Sequence, residues 1–138
     1  MTIAPLVEGL RQVQRGTDRT AAELALQRLR EEVPVLEGKL QNELSSAMSS
    51  PQAIKNVLQK IGKVSFVEYS FVTNGTVRKR FEALTDEEIE AAIKTLEKGF
   101  GIFNQGTINR LRTIKGLKAQ LREKQARMAE NLKIADGK

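Results

Sequence analysis

The stretch VSFVEYSFVTNGTVRKRFEAL, residues 64–84, decides which fold class the sequence predicts. Its first half, residues 64–73, is rich in the β-branched and aromatic residues that are typical of strands. Asn74 and Gly75 tolerate the two positive φ angles of a type I′ turn, which is the strongest short signal of a hairpin. The stretch therefore predicts a β-hairpin over residues 63–84, with Asn74 and Gly75 as its structural turn.

A two-residue turn gives the predicted hairpin two different faces. It places Val72 opposite Val77 on a largely apolar face, which must pack on helices because an isolated hairpin is marginal in water. The other face holds aromatic and cationic side chains together, namely Tyr69, Phe71, Arg78 and Arg80. Such a face resembles the stacking surfaces that bind single-stranded nucleic acid. The alternative is that the aromatic rings pack under helices while the arginine stems cover them.

Residues 1–62 predict helices upstream of the hairpin. A short helix over residues 3–14 should end near Gly16, with Thr17 or Asp18 capping the next one. Apolar residues then recur at alternating intervals of three and four, which indicates helix-on-helix packing. This seam consists of Leu26, Leu29, Val33, Leu36, Leu40, Leu44 and Met48. Pro34 lies inside the seam, and we expect a kink there because the seam keeps its phase on both sides.

Local end signals define the shorter helices on either side of the hairpin. Ser50 fits an N-cap with Pro51 at the first helical position, and Gly62 is a natural C-terminal stop. Downstream, Thr85 and Glu88 match a capping box that opens a short helix over residues 85–99.

A long basic helix is predicted over residues 107–134, with Thr107 as its cap and a glycine-containing loop before it. Its seam reads Leu111, Ile114, Lys118, Leu121, Gln125, Met128 and Leu132. Two of these positions are polar, which weakens the seam and sets its register.

Together these elements predict a mainly α fold with one β-hairpin, of the α+β class. Long helices flank a small central helix–hairpin–helix module. With 138 residues, the chain is the size of a single domain, which we expect to span residues 1–138.

The composition argues against several classes of function. The 138 residues include no Cys, His or Trp, which removes thiol catalysis, disulfides, Cys/His zinc sites and catalytic triads that use an imidazole base. The acidic cluster at residues 86–90 and the glycines at 99–106 lack the spacing of a calcium loop or a P-loop. We therefore expect no enzyme, no cofactor, no metal and no small-molecule substrate.

The sequence also gives expectations about location. It has no run of 18 apolar residues and no visible export signal, so we expect no membrane partner. The expected location is the cytoplasm, or a particle assembled in the cytoplasm.

The positive charge is concentrated near the carboxyl end. Residues 99–138 carry nine basic and three acidic groups, and the whole chain has a net charge of +6. Basic helices attract phosphate in a salt-dependent way. The candidate nucleic-acid contacts on this helix are Arg110, Arg112, Lys115 and Arg122.

Two hypotheses for the function follow. The first is a non-enzymatic structural or assembly subunit of a larger oligomeric complex, such as a virion component that acts as a ring-forming adaptor. It would contact copies of itself and other subunits. Its interface would consist of Leu29, Val33, Leu36, Leu40, Leu111, Ile114, Leu121 and Met128. The second hypothesis is a basic nucleic-acid-binding protein that uses the terminal helix and the aromatic face of the hairpin.

Overall fold

The computed structural model describes residues 4–99 and 101–136, with side chains for residues 18–99 and 104–136. The described residues form five helices and no strand. In chain order the helices are α1 (Ala4–Ala47), α2 (Pro51–Lys60), α3 (Asn74–Glu82), α4 (Asp86–Lys98) and α5 (Gly101–Ala135). The mainly α expectation is confirmed, and the hairpin expectation is wrong.

The residues predicted as a hairpin form a turn followed by α3. Thr73 caps this helix, and its Oγ1 accepts a hydrogen bond from the backbone N–H of Thr76 at 3.2 Å. Asn74 and Gly75 are the first two residues of α3 and do not form a type I′ turn. Val77, Phe81 and Leu84 are all buried, and their intervals of four and three are those of one helix face.

Helix ends at α2 and α4 agree with the sequence signals. Ser50 is the N-cap of α2 with Pro51 as its first residue, although the Ser50 side chain makes no capping hydrogen bond. Lys63 N–H donates to the Leu58 carbonyl at 2.8 Å and Gly62 N–H to the Gln59 carbonyl at 3.0 Å, which is a Schellman motif.

At the start of α4, the Thr85 and Glu88 capping box is present in both directions. Gly99 is the C-cap of this helix, as the sequence indicates. These ends were predictable because each uses hydrogen bonds within a few residues of the chain.

The long helices extend beyond their predicted starts. Helix α1 runs without interruption through Gly16 and across Pro34, so neither residue ends it. Thr17 and Asp18 therefore lie inside α1 and are not caps. Helix α5 begins at Gly101, so Thr107 lies within it and the expected loop over residues 99–106 is largely helical.

The chain divides into two compact units. The first unit combines Met1–Glu37 with Gln120–Lys138, so that α1 packs with α5. Its buried apolar side chains in the described part are Ala22, Leu26, Leu29, Val33, Leu36 and Leu121. An ion pair joins the two helices, with Lys124 Nζ 2.6 Å from Glu32 Oε2.

The second unit comprises Gly38–Ala119 and holds the larger core. Helix α2 contacts both α3 and α4. The largest buried side chains of this unit are Phe81, Leu44, Leu58, Ile89, Ile108, Leu111 and Ile114.

Lys118 occupies a polar position in the predicted seam of α5. It donates to the backbone carbonyls of Glu82 at 2.6 Å and Leu84 at 3.1 Å. Its ammonium group thus stabilises the carboxyl end of α3.

Two glycine substitutions test whether the chain forms this helical fold or the predicted hairpin. Gly62 has a φ of 78°, so Gly62→Ala should lower the free energy of unfolding by about 1–2 kcal/mol. Gly75 lies in a helix, and an added Cβ would lie 4.0 Å from Thr73 Oγ1, so Gly75→Ala should be neutral or stabilise by up to about 1 kcal/mol. Urea denaturation followed by circular dichroism measures both. A loss at Gly75 as large as that at Gly62 would contradict the α3 assignment.

Candidate functional site

The segment between α2 and α3 exposes large apolar side chains. We call residues 65–72 the exposed turn. Phe66 is 85% exposed, Val67 80% and Phe71 83%. The other exposed large apolar side chains in the described part of the chain lie between 40% and 57%. Contiguous exposed apolar groups of this kind mark interaction surfaces.

Local hydrogen bonds hold the backbone of the exposed turn in place. Ser65 N–H donates to Glu68 Oε1 at 2.9 Å, and Glu68 N–H donates to Ser65 Oγ at 3.1 Å. This reciprocal pair is a capping box. Tyr69 N–H then donates to the Ser65 carbonyl at 3.0 Å, and Val72 N–H to the Glu68 carbonyl at 2.9 Å.

A bidentate ion pair attaches the exposed turn to α3. The Arg80 guanidinium donates to Glu68 Oε1 at 2.8 Å and to Glu68 Oε2 at 3.1 Å. A third Arg80 hydrogen bond reaches the Lys63 carbonyl at 2.9 Å, where α2 has just ended. Hydrogen bonds from Arg80 and from Ser65 N–H lower the pKa of the Glu68 carboxyl, while Glu68 raises the pKa of Arg80.

Tyr69 attaches the same turn to α2. Gln52 Nε2 donates to its hydroxyl, which in turn donates to Asn56 Oδ1. Lys55 Nζ lies 4.7 Å from the centre of the Tyr69 ring, within the range of a cation–π contact. Val64 is 1% exposed, and Val72 packs against the core, so both ends of the turn are anchored.

The Glu68–Arg80 pair makes the turn sensitive to acid. The pKa of Glu68 is lowered in the folded protein, so the contribution of the pair is fully present above about pH 4.3, the ordinary pKa of Glu. It is lost as the pH falls from there through the lowered pKa. We expect Glu68→Gln to reduce the acid-induced decrease in melting temperature. Melting curves between pH 7 and pH 2 test this, and identical acid profiles for the two proteins would contradict it.

The residues predicted to contact nucleic acid lie on the exposed turn and on the helices α3 and α5. Tyr69 packs toward α2, whereas the Phe71 ring is exposed. Arg78 pairs with Glu82 at 2.8 Å and donates to Gln41 at 3.1 Å, away from the Arg80 pair.

The basic residues predicted on α5 also have carboxylate partners. Arg110 lies 3.2 Å from Glu43, Arg112 lies 2.7 Å from Glu97, and Lys115 lies 2.7 Å from Glu90. The Lys115 hydrogen bond lowers the pKa of Glu90. Arg122 is exposed on α5. All four of these cations therefore take part in interactions.

The acidic cluster at the start of α4 lines a shallow groove. Asp86, Glu87 and Glu90 form one side, and Lys94 and Lys115 contribute cations. Within the described residues, no group of three His, Cys, Asp or Glu side chains could hold a metal ion.

Most of the residues predicted to form an interface between molecules are buried inside this chain. Six of them are buried by the chain's own packing: Leu29, Val33, Leu36, Leu111, Ile114 and Leu121. Leu40 and Met128 are half-buried. Phe66 and Val67 are not among the predicted site residues, although the S-x-x-E spacing of Ser65 and Glu68 is a visible signal of a capped turn.

Comparison with known proteins gives no relatives: no family model, curated protein or solved structure matches this chain. None of the described helices is long and apolar enough to cross a membrane.

Proposed function

We propose that this protein is a non-enzymatic assembly subunit of a larger complex, and that the exposed turn is the surface by which it contacts another component. A virion component such as a ring-forming adaptor is the class that we favour. The observation that carries the proposal is the exposure of Phe66, Val67 and Phe71 on a turn that is held at several points.

The energetic argument is that exposed aromatic side chains on an ordered segment bind at low entropic cost. Burying a Phe or Val side chain contributes roughly 1.5–3 kcal/mol. A segment that is already ordered loses little conformational entropy when it binds. The capping box, the Arg80 pair and the Tyr69 hydrogen bonds supply that order before any partner arrives.

We further propose that copies of the chain associate. Leu24 and Val35 are each 57% exposed and lie 11 residues apart on α1, which places them on the same helix face. Light scattering on the purified chain measures this association. If the chain is a monomer at micromolar concentration, the proposal of self-association is wrong. The proposed contact at the exposed turn is not affected by that result.

The main experiment compares sedimentation of tagged variants in lysates of the cells that produce the protein. The wild type should sediment in a heavy fraction. Phe66→Ser/Phe71→Ser should move to the light fraction, because two apolar anchors of the contact are removed. Leu132→Ser/Ile134→Ser is the matched control, since both side chains are partly exposed on α5 and lie outside the turn.

Three results decide between the functions. A heavy fraction that depends on Phe66 and Phe71 supports the assembly proposal, provided that both variants melt at the wild-type temperature. A wild-type chain found only in the light fraction contradicts it. A heavy fraction that disappears with nuclease or with moderate salt favours the competing hypothesis of a nucleic-acid-binding protein.

A further inference from the structure

We infer that the exposed turn is recognised by another protein that offers an apolar groove with Asp and Glu side chains along its rim. This inference rests on the proposed function and specifies the chemistry of the partner. It follows from the charge around the turn and from the high exposure of its apolar side chains.

The elements that flank the turn are strongly basic. Residues 51–82, which cover α2, the exposed turn and α3, contain six Lys or Arg and two Glu, and Glu88 of α4 forms an ion pair with Lys63, so these groups together carry a net charge of +3. Lys60 and Lys79 are exposed, and neither has an ion pair with another described residue. Lys55 lies against the Tyr69 ring. An acidic rim would complement these cations and speed the encounter between the partners.

The shape of the turn favours a groove over a flat surface. Phe66, Val67 and Phe71 expose 85%, 80% and 83% of their surface, so all three side chains project from the turn into solvent. A planar lipid surface would cover only one side of each of these projecting side chains. A concave protein surface can enclose all three.

The charge also disfavours a second copy of this chain as the occupant. Turn-to-turn contact between two copies would bring together two regions with a net charge of +3 each, Glu88 included, which like-charge repulsion opposes. Self-association at the α1 face remains compatible with this inference, because the unit Met1–Glu37 with Gln120–Lys138 carries ten basic and nine acidic residues and is close to neutral.

The test places the photo-cross-linking residue p-benzoylphenylalanine at position 66 of the full chain in the cells that produce it. Phe66 is 85% exposed, so the folded chain tolerates the larger side chain, which a melting curve verifies. We expect one cross-linked product with a different protein. Mass spectrometry should locate the cross-link in an apolar peptide that is flanked by Asp or Glu.

Charge-reversed variants test the rim. Lys60→Glu/Lys79→Glu should reduce the cross-linking yield about tenfold, because the variant would face the partner's carboxylates with like charges. Lys94→Glu/Lys98→Glu is the matched control, with the same change in net charge on α4, and it should keep the wild-type yield.

Several outcomes would overturn the inference while leaving the assembly proposal intact. These are a cross-link to a second copy, a cross-link to a protein segment without acidic residues, and equal yields from the two charge-reversed variants. A cross-link to lipid only, or no cross-link from a chain that sediments in the light fraction, would overturn both proposals. The sedimentation experiment thus distinguishes the failure of one from the failure of the other.

Discussion

Replacing Phe81 by Ala should lower the free energy of unfolding of the unit Gly38–Ala119 by about 3–5 kcal/mol. Phe81 is 2% exposed and belongs to the same buried cluster as Leu58, Val77 and Ile93. Removing the ring takes away apolar contacts and leaves a cavity that a core built on several helices can only partly close. Urea denaturation monitored by circular dichroism measures the loss.

Phe66→Ala is the matched control for Phe81→Ala because it makes the same chemical change at an exposed position. Phe66 is 85% exposed, so its truncation should change the stability by no more than about 0.5 kcal/mol. If both substitutions had the same effect on stability, Phe81 would not be a core residue and the position of α3 would be wrong. The comparison of the two variants also shows whether a Phe66 variant that loses binding is still folded.

The second large effect is expected in the other unit. Leu36→Ala should cost about 2–5 kcal/mol, toward the lower end because the surrounding helices can relax. Leu36 is 7% exposed and lies in the seam of α1 that includes Leu29 and Val33. Because the two units need not unfold together, amide hydrogen exchange along residues 22–36 is the appropriate measurement.

Leu24→Ala provides the comparison on the same helix. Leu24 is 57% exposed, so we expect its truncation to cost about 1 kcal/mol or less. Equal increases of the exchange rates in α1 for the two variants would contradict this prediction. They would mean that the buried face of the helix contributes no more to stability than the exposed face.

Much of the helical framework could be predicted because its signals are local. The capping box of Thr85 and Glu88 and the Schellman motif at Gly62 depend on hydrogen bonds between residues three to five positions apart. The buried faces of α1 and α5 follow from apolar residues at intervals of three and four. Such features can be predicted because the interval between two residues in the sequence determines whether they are neighbours on the helix.

Residues 64–84 were predicted wrongly because two local interpretations competed. Asn74 and Gly75 fit a type I′ turn, but they also fit the first turn of a helix capped by Thr73. A helix satisfies its backbone hydrogen bonds internally, whereas a lone hairpin leaves two unpaired edges. With no further strand in the described part of the chain, the helix that buries Val77 and Phe81 is the more stable choice.

The sequence by itself determined that this protein is mainly helical, where several of its helices end and which helix faces are apolar. Only the tertiary structure decided that Arg80 binds Glu68, that Lys118 binds the carbonyls at the end of α3 and that Phe66 and Phe71 remain exposed. The Arg80 and Lys118 contacts join residues 12 to 36 positions apart. The packing of separate helices brings these residues together, and no local spacing in the chain encodes that packing.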